Sequence, residues 1–163
     1  SIINKLPSMN RLWLRFALCI YAILYTVCLP LILGIEDSYS DYHQLKPILF
    51  PLLTIGVSLG LWLHRSIEWK IPAFLLIIIA SFSVANYPTI HNISAILFFM
   101  SSTWIMLFDK RFKIFGIISA ILYPTLFINT EQNLFLFEVL QIPILSFYHF
   151  SRVVYLMRLK KKI

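Results

Sequence analysis

Asn86-Tyr87-Pro88-Thr89-Ile90-His91-Asn92-Ile93-Ser94-Ala95-Ile96-Leu97-Phe98-Phe99 concentrates turn-forming, polar and ionisable residues between two apolar segments. Pro88 disfavours helical geometry at Tyr87 and closes the segment before it, while His91 and Asn92 open the next apolar run. The stretch reads as a tight turn that carries an imidazole at the edge of a hydrophobic slab. Working outward, six apolar runs can be marked, at about 12–33, 47–63, 71–87, 92–108, 114–128 and 134–157. Each is near or somewhat under the roughly 20 residues that cross a bilayer. The shorter ones gain length from flanking polar turns or from local thinning of the bilayer.

Composition names the solvent. Of 163 residues 60% are hydrophobic and 13% charged, and the mean hydropathy is +0.82, far from the averages of soluble domains. Backbone groups in hydrocarbon must be satisfied within their own segment, which makes the runs helices rather than strands. The alternation that a membrane barrel needs is absent. The expected fold is all-α: a polytopic membrane protein with six transmembrane helices forming one domain over 1–163. No cleavable signal peptide is expected, because the first run is long enough to span and no small-residue cleavage motif follows it. Cys19 and Cys28 lie far apart along that same run, so they support neither a disulfide nor a metal site.

A net charge of +7 raises the question of nucleic acid. The basic residues instead sit at the ends of apolar runs, as membrane anchors do, and no soluble stretch is long enough to form a reading surface. Assigning alternate connectors to opposite sides puts every Lys and Arg except Lys46 on one side. By the positive-inside rule that side is the cytoplasm, and both termini face it. The other side receives Gly34 to Lys46 with Glu36, Asp37, Asp41 and His43, the turn from Asn86 to Asn92, and Asn129 to Asn133 with Glu131.

An ionisable residue at membrane depth costs roughly 2.5–3.5 kcal/mol on insertion scales unless it is paired or hydrated. Glu138 is the outstanding case, early in the sixth run, with Gln141 one turn further on nearly the same face. His91 and Asn92 begin the fourth run at the same outer level, and Asn86 ends the third there. Asp37, Asp41, His43, Asn86, His91, Asn92, Ser94, Glu138 and Gln141 are thus expected to cluster at the outer leaflet. A carboxylate near His91 would orient its imidazole and raise its basicity, as a general base or a headgroup site requires. His91 and Glu138 are the candidate catalytic pair; Asp37, Asp41, Asn86, Asn92, Ser94 and Gln141 are candidate lipid-binding residues. The competing reading of His91 is an interfacial histidine satisfied by water or a backbone carbonyl.

His64 and His149, beside Arg65 and Arg152, read as interfacial anchors on the cytoplasmic side. Histidines scattered over two faces give no metal-ligand spacing, so neither metal nor cofactor is expected. There is no G-x-S-x-G, phosphate loop or H-E-x-x-H. Gly56 and Gly60 form a G-x-x-x-G spacing that lets another helix approach closely, within the chain or in a homodimer or partner membrane protein. Pro51, Pro72, Pro124 and Pro143 start or kink helices. Trp13, Trp62, Trp69, Trp104, Tyr123 and Tyr155 fit interfacial belts.

Ser83-Val84-Ala85-Asn86-Tyr87, followed by His91 and Ser94-Ala95-Ile96-Leu97-Phe98-Phe99, resembles the third-to-fourth span region of the DRAM/Frag/Sfk family of six-helix membrane proteins. Looser matches are the acidic Ile35-Glu36-Asp37-Ser38, Glu138 early in the last span, and the aromatic run Phe147-Tyr148-His149-Phe150 leading into a basic tail. The chain departs from that family's pattern in its shorter connectors and in Ser94, where a Gly is usual. The resemblance implies lipid handling, through an outer or lumenal site containing His91 and Glu138. The function expected is a membrane protein that binds, organises or remodels lipid. The alternatives are a non-catalytic subunit of a larger complex and a small transporter. For the last, a path from Glu138 to His149 would run about 16 Å along one helix, past Leu145 and Phe147.

Overall fold

The computed structural model describes residues 7–34, 41–42, 48–127 and 133–162. Among them are six α-helices and no strand: α1 (Met9–Leu33), α2 (Leu49–Trp62), α3 (Lys70–Ser81), α4 (Pro88–Phe108), α5 (Lys113–Leu122) and α6 (Asn133–Lys161). Short 3₁₀ turns at Ile67–Trp69 and Tyr123–Phe127 lead into α3 and out of α5. Each helix packs on the next, and α6 closes the circle against α1. The order is set by short antiparallel connections, which make sequence neighbours spatial neighbours.

Local chemistry sets the helix ends. Ser8 caps α1 by accepting from the Arg11 amide at 3.3 Å, which satisfies one of the orphan donors of the first turn. Pro88 does more than close the preceding run. It is the first residue of α4, where its missing N–H is no loss. The third run therefore ends at Ser81 instead of 87, and 82–87 form the turn. Pro51 and Pro72 lie in the first turns of α2 and α3, and Pro124 lies in a 3₁₀ turn. Pro143 is inside α6, and so is Pro30 inside α1.

Three helices are long and apolar enough to cross a membrane: Met9–Leu33, Pro88–Phe108 and the Leu136–Lys161 part of α6. The other three are shorter than the six-run reading asks, at 14, 12 and 10 residues. The distribution of side chains fits membrane association. Leu31, Ile32, Ile71, Trp104, Phe108 and Ile121 point outward, while Thr54, Ser58, Ser102, Thr103, Ser119 and Ser146 are buried. In water such an apolar surface would drive aggregation; in lipid it costs nothing, and buried hydroxyls bond across helices. Ser58 does this directly, donating to the Ala73 carbonyl at 2.7 Å and tying α2 to α3.

Gly56 and Gly60 face α1. A Cβ at Gly56 would collide with the Tyr21 ring, and one at Gly60 would touch Leu18 at 3.6 Å. Packing within the chain therefore accounts for Gly56, while Gly60 has room for a Cβ. A helix comes against backbone at Gly116, where a Cβ would sit 2.7 Å from the Met106 carbonyl carbon and 2.8 Å from Leu107 Cα. Both cysteines are unpaired, Cys19 buried and Cys28 exposed.

Candidate functional site

His91 is fixed by its place in the first turn of α4. The C-terminus of α3 leaves carbonyls without intrahelical donors, and His91 Nδ1 lies 2.6 Å from one of them, on Phe82. A carbonyl can only accept, so Nδ1 carries the proton and, in the neutral ring, Nε2 is left as the acceptor nitrogen. The ring is 3% exposed and packs near Phe50, with centroids 6.3 Å apart.

His91 and Glu138 line the same cavity, of about 60 Å³, inside the circle of helices. Its walls come from α2 (Phe50, Leu53, Thr54, Val57), α3 (Leu76, Ile79), α4 (Ala95, Phe98, Phe99) and α6 (Ile142, Leu145, Ser146). Glu138 is 8% exposed. The cavity is thus an apolar chamber with an imidazole, a carboxyl group and two hydroxyls placed at separate points. Such a lining suits a molecule that is mostly hydrocarbon with a small polar part.

The other expected members of the cluster do not line this chamber. Asn86 and Asn92 are exposed at the turn, and Asp41 is half-buried away from the cavity wall. Ser94 is buried beside Ala95 without reaching the lining. Gln141 points to α5 instead. It accepts from Ser119 Oγ at 2.7 Å and donates to the Ser119 carbonyl at 2.8 Å. Ser119 is in turn 2.6 Å from Thr103 Oγ1, which lies 3.1 Å from the Tyr123 hydroxyl. Gln141 is therefore a clasp between α5, α6 and α4, because α6 turns it about 60° away from Glu138 over three residues. Asp37 and His43 lie outside the described residues.

His64 and His149 are not interfacial anchors. Both are buried, at 3% and 6% exposure, with Arg15 at 2% and Trp69 fully enclosed. Trp69 and His149 meet edge to face with centroids 4.3 Å apart, and His64 lies 5.8 Å from His149 and 5.7 Å from Trp69. Trp69 thus belongs to the core and not to a belt. Burial pushes the His64 imidazole well below its usual range, and the charge of Arg15 adds to this. The sequence held a signal for this cluster, since Arg15 lies nearly one turn inside the first apolar run, deeper than Arg11, and an Arg at membrane depth needs a partner.

Beside these rings, Asp109 joins α4 to α6. It accepts from the Tyr148 hydroxyl at 2.8 Å and pairs with Arg152 at 3.1 Å, while Arg152 also donates to Tyr148 at 2.9 Å. Desolvation alone would raise the Asp109 carboxyl. The Tyr148 hydrogen bond, the amides of Arg111 and Phe112 and the Arg152 charge outweigh it and hold the group below its usual value. Arg15, Cys19, Gly60 and His149 border a second, smaller cavity of about 30 Å³. Val57, Leu145 and Ser146 are shared by its walls and those of the first.

Among the described residues no group of His, Cys, Asp and Glu is placed to hold a metal ion. Comparison with protein-family models, curated proteins and solved structures gave no match, so the function of the chain is argued from its own side chains.

Proposed function

We propose that this is a six-span membrane protein, both termini cytoplasmic, that binds and positions lipid in the chamber between α2, α3, α4 and α6. The observation that carries the reading is the chamber itself: hydrocarbon-lined, with His91 and Glu138 on one wall system. The apolar walls suit hydrocarbon, and at about 60 Å³ the chamber takes only the end of a chain unless its side chains part. His91 Nε2, left as an acceptor by the bond to Phe82, takes a hydroxyl or ammonium hydrogen from the polar part. Glu138 supplies the charge complement. The one-sided distribution of Lys and Arg supports the orientation, and the resemblance to DRAM/Frag/Sfk proteins points to the same class of ligand. Local thinning accommodates the shorter helices.

The test is lipid retained through purification in mild detergent, identified by mass spectrometry. The wild-type protein carries a defined amphiphile. Ala95→Phe, which fills the chamber, loses it, while His91→Gln and Glu138→Gln change which headgroup is kept. Equal lipid content and composition in all four folded proteins removes the proposal.

A second reading, a small transporter, rests on the wall shared by the two cavities. Val57, Leu145 and Ser146 alone are common to both, so a thin layer separates the polar groups at the two ends of the bundle. Proteoliposomes that show no ion or proton flux, with or without Leu145→Ala, dispose of this alternative.

A further inference from the structure

The start of α1 and the end of α6 lie at the end of the bundle opposite the His91 turn, where the Lys160 ammonium donates to the Pro7 carbonyl at 2.8 Å. At that end four side chains bury a nitrogen with no hydrogen-bond partner among the described residues: Arg15 Nη2, His64 Nε2, Trp69 Nε1 and His149 Nε2. Guanidinium and indole nitrogens donate and never accept. The Ser66 amide donates to His64 Nδ1 at 3.2 Å, so the proton of the neutral His64 ring is on Nε2 and that atom donates too. Three donors of fixed sense, one of them charged, are therefore buried without an acceptor.

They form one group. His149 is in ring contact with His64 and Trp69 and borders the 30 Å³ cavity together with Arg15. A cavity of that volume holds a single small species. Of the described carboxylates at this end, Asp109 is taken by Arg152 and Tyr148, and Glu68 accepts from Ser66 Oγ in an exposed turn. A buried cation with no counter-charge costs several kcal/mol, and isolated donors add their own desolvation penalty. Leu18 and Gly60, also on the cavity wall, are half-buried, so the cavity lies one residue layer from the surface between α1 and α2. Lys70 and Arg11 stand at the same end, Arg11 donating to the Leu63 carbonyl at 2.8 Å, and draw anions to it.

We infer that Arg15 and His149, backed by His64 and Trp69, form a binding site for one anionic acceptor atom, a halide ion or a single oxygen of an anionic lipid headgroup. The site is separate from the lipid chamber proposed above and takes its ligand from the opposite end of the bundle.

The test uses the full chain in a non-ionic detergent with sodium gluconate as the background salt. Chloride or bromide is titrated in at constant ionic strength, and in a second arm phosphatidylglycerol is compared with phosphatidylcholine in mixed micelles. Thermal stability and tryptophan emission are followed in each. A saturable rise with halide, or with phosphatidylglycerol over phosphatidylcholine, supports the site and names its source. Trp69→Phe keeps the ring and deletes its donor, His149→Phe deletes the ring nitrogen left without a partner beside the cavity, and each weakens the response roughly tenfold, as loss of a bond to a charged group does. Arg15→Gln abolishes it, and the exposed-tail variant Lys161→Gln keeps it. Absence of a response in both arms, or a response that Trp69→Phe and His149→Phe leave unchanged, overturns the inference and assigns the donors to water. The two ring-conserving variants decide the matter even if Arg15→Gln fails to fold.

Discussion

The carbonyl oxygen of Phe82 lies 2.6 Å from His91 Nδ1, so the last turn of α3 is capped by a side chain from the first turn of α4. This bond makes the 82–87 turn a fixed object and orients the imidazole into the chamber shared with Glu138. The ring is satisfied by a backbone carbonyl through one nitrogen, as the competing reading of His91 expects, and its other nitrogen remains an acceptor beside the chamber.

His91→Leu keeps the bulk of the ring's packing and leaves the Phe82 carbonyl without this donor. The expected loss is about 1–3 kcal/mol, the cost of a buried unsatisfied group. Denaturant unfolding in detergent measures it, and unchanged stability would show that the cap contributes nothing.

Gly116→Ala separates α4 from α5, because the new Cβ meets backbone at Met106 and Leu107 that cannot rotate aside. A cost of about 1–3 kcal/mol is expected, as for overpacking. Gly60→Ala, whose Cβ makes an ordinary 3.6 Å contact with Leu18, is the comparison and should be near neutral. Equal melting temperatures for the two variants would contradict the helix spacing described.

Gln141→Leu removes both bonds of the clasp between α6 and α5, whereas Ser119→Ala removes the Ser119 Oγ bond and leaves the one to the Ser119 carbonyl. Interhelical hydrogen bonds in membrane proteins average about 0.6 kcal/mol and reach about 1.7, and Gln141→Leu is expected to cost more than Ser119→Ala because it removes two bonds and not one. A double-mutant cycle gives the coupling directly. Zero coupling would mean that the two residues act independently.

Two groups give the stability a defined pH dependence. His64 has a folded pKa below its ordinary 6.5, so the unfolded chain binds a proton that the fold excludes. Its contribution is complete above pH 6.5 and shrinks as the pH falls below that value, by about 1.4 kcal/mol per pH unit. Asp109 is held below its ordinary 3.8, so its contribution is complete above pH 3.8 and disappears as the pH falls through the lowered folded value. Unfolding followed from pH 8 to 2 should show a shallower upper slope in His64→Phe and a smaller acid-side loss in Asp109→Asn. An unaltered profile in either variant refutes the corresponding assignment.

The resemblance between expectation and structure is closest where chemistry is local. Pro88, the apolar runs and the basic residues at run ends yield helices, turns and a membrane-compatible surface without reference to any partner. Run boundaries were less legible. Pro88 reads as a stop but acts as a start, and Lys113–Leu122 is shorter than its apolar composition suggests because Pro124 follows.

The candidate site divides on the same principle. Composition and depth single out His91 and Glu138 as costly polar groups, because a charge in lipid is expensive wherever on the helix circumference it sits. Which polar groups meet depends on helix rotation and on the closing of α6 against α1, which bring Gln141 to Ser119 and leave Asn86 and Asn92 outside. The same closure buries Arg15, His64, Trp69 and His149 together. Those four come from three separate regions of the chain, and a pattern read along one dimension carries no distance between them.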